Sequence, residues 1–202
     1  MKNIKPLSFS FLLVLSACTG GQTRNSESGV DSDSIALAEW KAENETHEVR
    51  GFVGDGSSMN YLEVITADTN DTLNIEISNT LIAGGVKAGD DIDVIYTQAD
   101  GELVSSIAIN VSSLEHLWTQ PSSQGGTQSL EIDHDGHATT YNMPGIDYDR
   151  WSLLNGQLLL HSPRKAGIEQ SGYTDTFDIL MLTADTLVLG HHAEIKRFWR
   201  EN

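Results

Sequence analysis

Eight short runs rich in Leu, Ile, Tyr, Thr and Trp fill the last ninety or so positions, and two of the gaps between them are the dipeptides Asp135-Gly136 and Asn155-Gly156. Asp-Gly or Asn-Gly between β-forming runs supplies the φ > 0 residues that a tight hairpin demands, so each dipeptide makes its flanking runs antiparallel neighbours. Ala184-Asp185, between Ile179-Leu180-Met181-Leu182 and Leu187-Val188-Leu189, marks a third connection. Strands are expected near 115–119, 128–133, 137–143, 147–154, 157–163, 174–182, 186–190 and 194–199, about 8–12 residues per strand and turn, which suits a sandwich or barrel. An up-and-down meander of this length leaves two open edges unless it closes, so a barrel is favoured over a flat sheet.

A second β unit precedes it. From His47 the chain alternates: Val49, Gly51 and Val53, then Tyr61, Glu63 and Ile65 against Leu62 and Val64, then Leu73, Ile75 and Ile77 against Asn74 and Glu76. Ile92, Val94 and Tyr96 match Leu103, Ser105, Ile107 and Ile109 across Asp100-Gly101. The period of two predicts five strands, with turns at Gly54-Asp55-Gly56, Asp68 to Asp71 and Asp100-Gly101, and one long connection from Asn79 to Gly89. The pattern changes near Ser112-Ser113, dividing the folded part into residues 46–112 and 113–202.

Both units resemble known folds. In the C-terminal unit, Trp118, Asp135-Gly136-His137-Ala138, Tyr141-Asn142-Met143, Tyr148 to Trp151, Thr174 to Ile179, Thr183 to Leu189 and the basic-aromatic ending together resemble the short lipocalin-like domain of bacterial lipoproteins over residues 114–201. That resemblance implies an eight-stranded up-and-down lipocalin-like barrel. In the N-terminal unit, five strands with a long connection after the third, and Val86-Lys87-Ala88-Gly89-Asp90-Asp91-Ile92-Asp93-Val94 leading into the fourth, resemble the five-stranded OB-type small barrel. The fold class expected is therefore all-β, an OB-like barrel followed by a lipocalin-like barrel.

At the N-terminus Lys2 and Lys5 precede the apolar run Phe9 to Leu15, too short to span a bilayer but suited to a signal-peptide core over residues 1–17. Leu15-Ser16-Ala17-Cys18 resembles the lipobox of bacterial lipoproteins, which implies diacylation of Cys18, the only cysteine of the chain. Two acyl chains, at about 0.8 kcal/mol per buried methylene, anchor a protein in effect permanently. Residues 18–45 begin with Gly, Ser, Thr, Asn and acids, a tether and lead-in whose composition does not offset the entropy of ordering. No dense acidic run follows Cys18, so the resemblance to lipoproteins places the chain at the periplasmic face of the outer membrane.

With Cys18 acylated, no thiol remains for a disulfide, a zinc site or a nucleophile. Twelve basic against 29 acidic residues give a net charge of −17, which opposes nucleic acid, and Arg50 and Lys87 are too few bases for an oligonucleotide groove on the first barrel. Nucleophile-elbow, His-Glu-x-x-His, Walker and dinucleotide patterns are missing, so neither enzyme nor cofactor is expected. Asp133-His134-Asp135-Gly136-His137 has metal-ligand residue types, but hairpin tips collect Asp and Gly for conformational reasons, and no metal site is assigned. His191-His192 are adjacent, and neighbours on one strand point to opposite faces.

Trp118, Tyr141, Met143, Trp151, Phe177, Met181 and Trp199 are the large side chains of the C-terminal unit and the candidates for its interior. An eight-stranded barrel is just wide enough for its own side chains or for one small ligand, and the residues fit both outcomes. The leading reading is an anchored lipoprotein that binds a small apolar molecule or lipid in this barrel. The alternative is an envelope scaffold presenting both barrels to protein or glycan partners.

Overall fold

The computed structural model describes residues 45–163 and 172–201. The expected signal peptide, Cys18 and the expected tether up to residue 44 lie outside the described residues.

The first unit contains β1 (Thr46–Val53), β2 (Tyr61–Thr66), β3 (Thr72–Glu76), β4 (Leu81–Ala83), β5 (Asp91–Ala99) and β6 (Glu102–Asn110). β1 is long enough to pair with β5 along Thr46–Phe52 and with β2 along Gly51–Val53. The two ladders meet at Gly51, where an added Cβ would lie 2.2 Å from the carbonyl oxygen of Ile65. Only a glycine lets the strands approach this closely. The order β3-β2-β1-β5-β6 closes through a parallel pairing of β3 with β6 at Ile75–Leu103 and Glu76–Val104, giving the expected five-stranded barrel. Its core is Val53, Leu62, Val64, Ile75, Ile77, Ile92, Val94 and Ala108. The connection from Asn79 to Gly89 holds one strand the alternation did not reveal: the three residues of β4 run parallel to the end of β6.

Asn110 then caps a single helical turn, α1 (Val111–Leu114), its Oδ1 accepting from Ser113 N at 2.8 Å. Its amide nitrogen donates to Asp90 Oδ2 at 2.7 Å and to the Gly85 carbonyl at 3.1 Å. A buried side-chain amide with three partners fixes the joint between the barrels.

The second unit is β7 (Leu117–Pro121), β8 (Thr127–Ile132), β9 (Ala138–Tyr141), β10 (Arg150–Leu154), β11 (Gln157–His161), β12 (Thr174–Leu182), β13 (Thr186–His191) and β14 (Glu194–Arg200). Each expected strand is found, in meander order, and the last strand pairs with the first at Trp199–Thr119 and Arg200–Trp118. The ring is completed between β9 and β10 by one bridge, His137–Arg150, so the barrel is nearly closed. Asn155 and Gly156 both have positive φ (52° and 74°), giving the two-residue hairpin the dipeptide demanded. At Asp135-Gly136 only Gly136 is left-handed, and Gly136 N donates to Asp133 O, so this hairpin is a type I turn closed by a glycine bulge.

The barrels share packing. Ala83 of β4, Ile109 of β6 and Val111 and Leu114 of α1 belong to the same buried cluster as Trp118, Trp151 and Leu182 of the second barrel. Gly84 N donates to the Leu182 carbonyl at 2.9 Å. The β5–β6 register shifts between Ile95 and Tyr96, where β6 carries one extra residue, Ser106, and bulges. Ile95 is buried despite its parity, and Ile107 Cδ1 lies 2.9 Å from where a Gly156 Cβ would stand. Among the described residues no helix is long and apolar enough to cross a membrane.

Candidate functional site

Ladder register sorts the second barrel into an inner and an outer face. Trp118 opposes Leu130, and Leu130 opposes Thr140; on the far wall Leu158 opposes Phe177, Ile179 opposes Leu189, Leu189 opposes Lys196, and Leu187 opposes Phe198. Side chains alternate along strands, so Gln120, Gln128, Leu160 and Lys196 also point inward.

One end of this interior is filled. Trp118 is wholly buried and donates its indole N–H to the Leu114 carbonyl at 2.8 Å. Trp151, also buried, donates to the Asp133 carbonyl at 2.7 Å. Both indoles satisfy their one polar group while their rings close the barrel toward the first domain. The other end is hollow. A cavity of about 200 Å³ is walled by Leu130, Leu160, Phe177, Leu189 and Phe198 and roofed by Met143, Pro144, Ile146 and Tyr148 of the β9–β10 connection. Ala138 and Thr140 are the inward residues of β9, too short to reach across. Thr140 Oγ1 instead donates to the Ile146 carbonyl at 3.1 Å and holds the roof. The Tyr148 hydroxyl donates to Asp175 Oδ2 at 2.5 Å, and burial together with that bond raises its pKa far above the ordinary phenol value.

Besides Tyr148, three lining side chains carry polar groups: Gln120, Gln128 and Lys196. Gln120 Nε2 donates to Gln128 Oε1 at 3.2 Å, and the Lys196 ammonium stands 5.5 Å from the centre of the Phe177 ring, a cation–π contact.

Of the seven side chains expected inside, Met143 and Phe177 line the cavity, and Trp118 and Trp151 form the packed end. Tyr141, Met181 and Trp199 are exposed, by 44, 46 and 45%. Tyr141 opposes Ser129 on the outer face and donates to Glu131 Oε2. Met181 follows a β-bulge between Ile179 and Met181, which inserts Leu180 and reverses the parity of the strand. Trp199 is the outward neighbour of Phe198. The reasoning from residue size missed Gln120, Gln128 and Lys196. The signal for Lys196 was its i, i+2 relation to Phe198.

The other polar clusters do different work. In the Asp133 to His137 hairpin, His137 N donates to Asp135 Oδ1 at 3.1 Å and the ring lies 3.9 Å from the same carboxylate. Among the described residues no three His, Cys, Asp or Glu side chains are grouped to hold a metal ion. Ser152 Oγ and His161 Nε2 are 3.1 Å apart, and His161 Nδ1 is 2.9 Å from Thr174 Oγ1. This row runs across the outer wall, and a neutral hydroxyl gives imidazolium no charge stabilisation, so it is a cross-strand ladder rather than a nucleophile with its base. Between the barrels Arg50 is bonded to Asp91 at 2.7 Å, lies 3.7 Å from Glu115 and covers the Trp151 ring at 5.8 Å. The Asp91 bond is the chief cause of its raised pKa, while burial raises that of Glu115.

Residues 110–201 match the family model for lipocalin-like proteins. This segment is a lipocalin-like barrel. A crystal structure of a lipocalin-like protein from Bacteroides thetaiotaomicron VPI-5482 is similar, with 26% identity over 44% of this chain and 97% of that one and a TM-score of 0.38. No curated protein matches the chain. The match begins at Asn110, so the lipocalin-like segment takes in α1 as well as the eight strands.

Proposed function

We propose that the protein is a lipoprotein anchored through diacylated Cys18 at the periplasmic face of the outer membrane, and that its lipocalin-like barrel binds a small apolar molecule rather than transforming one. The supporting observation is the cavity of about 200 Å³ walled by Leu130, Leu160, Phe177, Leu189 and Phe198. Apolar cavities of about 150 Å³ stay dry and take up benzene-sized molecules. Binding there removes apolar surface from water at about 25 cal/mol per Å². This volume is below the roughly 300 Å³ at which drug-sized pockets begin, so the ligand is small, or a larger lipid enters by one end only.

The test is benzene or indole titration of the folded protein, followed through the methyl resonances of Leu130, Leu160 and Leu189. Saturable shifts confined to these residues support the reading, and Leu160→Trp, which fills the space, should abolish them. No saturable shift in the wild type removes the carrier function. Anchoring has its own test: Cys18→Ser should end lipid labelling and release the chain from membrane fractions.

A second reading, the envelope scaffold, draws on the first barrel. Met59, Ile82 and Val86 are exposed beside a groove of about 390 Å³ that also touches Ile77 and Ala88. Exposed apolar groups around a groove mark a contact surface, here one for a protein or glycan of the envelope. Cross-linking from Met59 in cells, lost on Ile82→Asp, would support it.

A further inference from the structure

Resting on the cavity-binding reading above, we infer that the ligand is a small amphiphilic monocarboxylate whose carboxylate sits on Lys196 and Gln128 and whose tail fills the apolar cavity. The wall residues would accept any apolar group; Lys196 is what selects. It projects inward from β14, is half-buried, and shares the cavity with Phe177, which is only 2% exposed. The ion pairs among the described residues join Arg50 to Asp91 and Glu115, and His137 to Asp135. None of them involves Lys196. Lys87, Arg150, Arg197 and Arg200 also make no ion pair among the described residues, but they are exposed; Lys196 is set apart by being directed into the barrel, in a chain with 29 acidic residues and a net charge of −17. An inward cation beside apolar walls gains from an anion brought in by the ligand, because both charges are then shielded from bulk water.

The amide geometry extends this. Gln120 Nε2 is spent on Gln128 Oε1 at 3.2 Å, which orients Gln128 with its own NH2 as the remaining donor. Lys196 and Gln128 thus offer two kinds of donor to a group with two acceptor oxygens. One lysine balances one negative charge, so a monoanion is matched, whereas a phosphate monoester would bring a second charge into a strongly acidic protein. Asp175, the nearby carboxylate, is occupied by the Tyr148 hydroxyl at 2.5 Å.

Size narrows the class. At the density of a protein interior, about 0.74, a cavity of this volume holds ~150 Å³ of atoms, on the order of eight to eleven non-hydrogen atoms. That describes an eight-carbon fatty acid or an aryl-alkanoic acid rather than a membrane lipid.

Calorimetric titration of the folded protein with octanoate and, separately, 1-octanol tests the inference, because the two share a tail and differ in charge. Octanoate is expected to bind at least ten-fold more tightly. Lys196→Met should erase that difference by weakening octanoate ten-fold or more while leaving octanol within three-fold, and Lys196→Arg should restore octanoate. If octanol equals octanoate in the wild type, or Lys196→Met leaves octanoate unchanged, the charge assignment is overturned while cavity binding stands. If neither binds, the cavity-binding reading falls and this inference with it.

Discussion

Asp93 is a buried carboxyl group, only 5% exposed to solvent. It lies on β5 opposite Arg50, and its Oδ1 is buried without a hydrogen-bond partner. Burial first, and the neighbouring Glu48 charge second, push its pKa up to about 7, against the lowering effect of Arg50. The folded state therefore holds this proton more tightly than the unfolded chain does. Its contribution to stability is fully present below the unfolded value near 3.8 and is lost as pH rises to about 7. At 1.36 kcal/mol per pKa unit the full loss is about 4 kcal/mol, of which about 3 falls between pH 4.5 and pH 8. Asp93→Asn keeps the shape and removes the titration. Urea unfolding of both proteins across that range should show the wild type losing about 3 kcal/mol more than the variant, with the variant the more stable at pH 8. Curves that stay parallel within about 1 kcal/mol would mean that the carboxyl is equally acidic folded and unfolded, and that Asp93 holds no extra proton in the folded state.

Three further outcomes are expected. Asn110→Ala removes the α1 cap and two further bonds, to Asp90 and Gly85, and should cost about 1–3 kcal/mol in urea unfolding. Trp118→Ala opens the packed end of the lipocalin-like barrel and leaves the Leu114 carbonyl with His116 N as its partner; a loss of about 3–5 kcal/mol is expected by the same measurement. Gly51→Ala sets a methyl 2.2 Å from a backbone oxygen, so circular dichroism melting should show the first barrel opened at the β1–β2 junction, whereas Gly89→Ala, with open space at its Cβ, should cost about 1 kcal/mol for its left-handed backbone.

The strands of both barrels were legible because their information is local. Asn155-Gly156 and Asp100-Gly101 each carry the paired positive φ of a tight hairpin, and alternation over five or more residues survives inspection of sequence alone. β4 was not legible, since three residues, Leu81 to Ala83, carry no period and pair with β6 from a distance. The candidate site was half legible. Large side chains were taken to point inward, but facing is set by register, and one inserted residue at Leu180 turned Met181 out. Size also conceals a cavity: a list of large residues does not register the space left between them. Lys196 did not stand out by size, and its inward direction follows from its parity with Phe198.

The eight-stranded ring is held by seven ladders and one bridge. Beside that bridge stand the backbone bonds from Ala138 N to Asp149 O and from Trp151 N to Gly136 O, the Trp151 indole bond to Asp133 O and a contact of His137 Nδ1 with Asp149 O, after which β9 and β10 diverge around the residues that roof the cavity. A hoop with seven stiff joints and one compliant one yields at the compliant one. Its circumference can lengthen there without tearing a ladder, and because the two strands adjoin in sequence the chain itself acts as the hinge strap. On the binding function proposed above, release of a ligand is expected to follow opening at this joint, and amide exchange at Ala138 and Trp151 measures that opening.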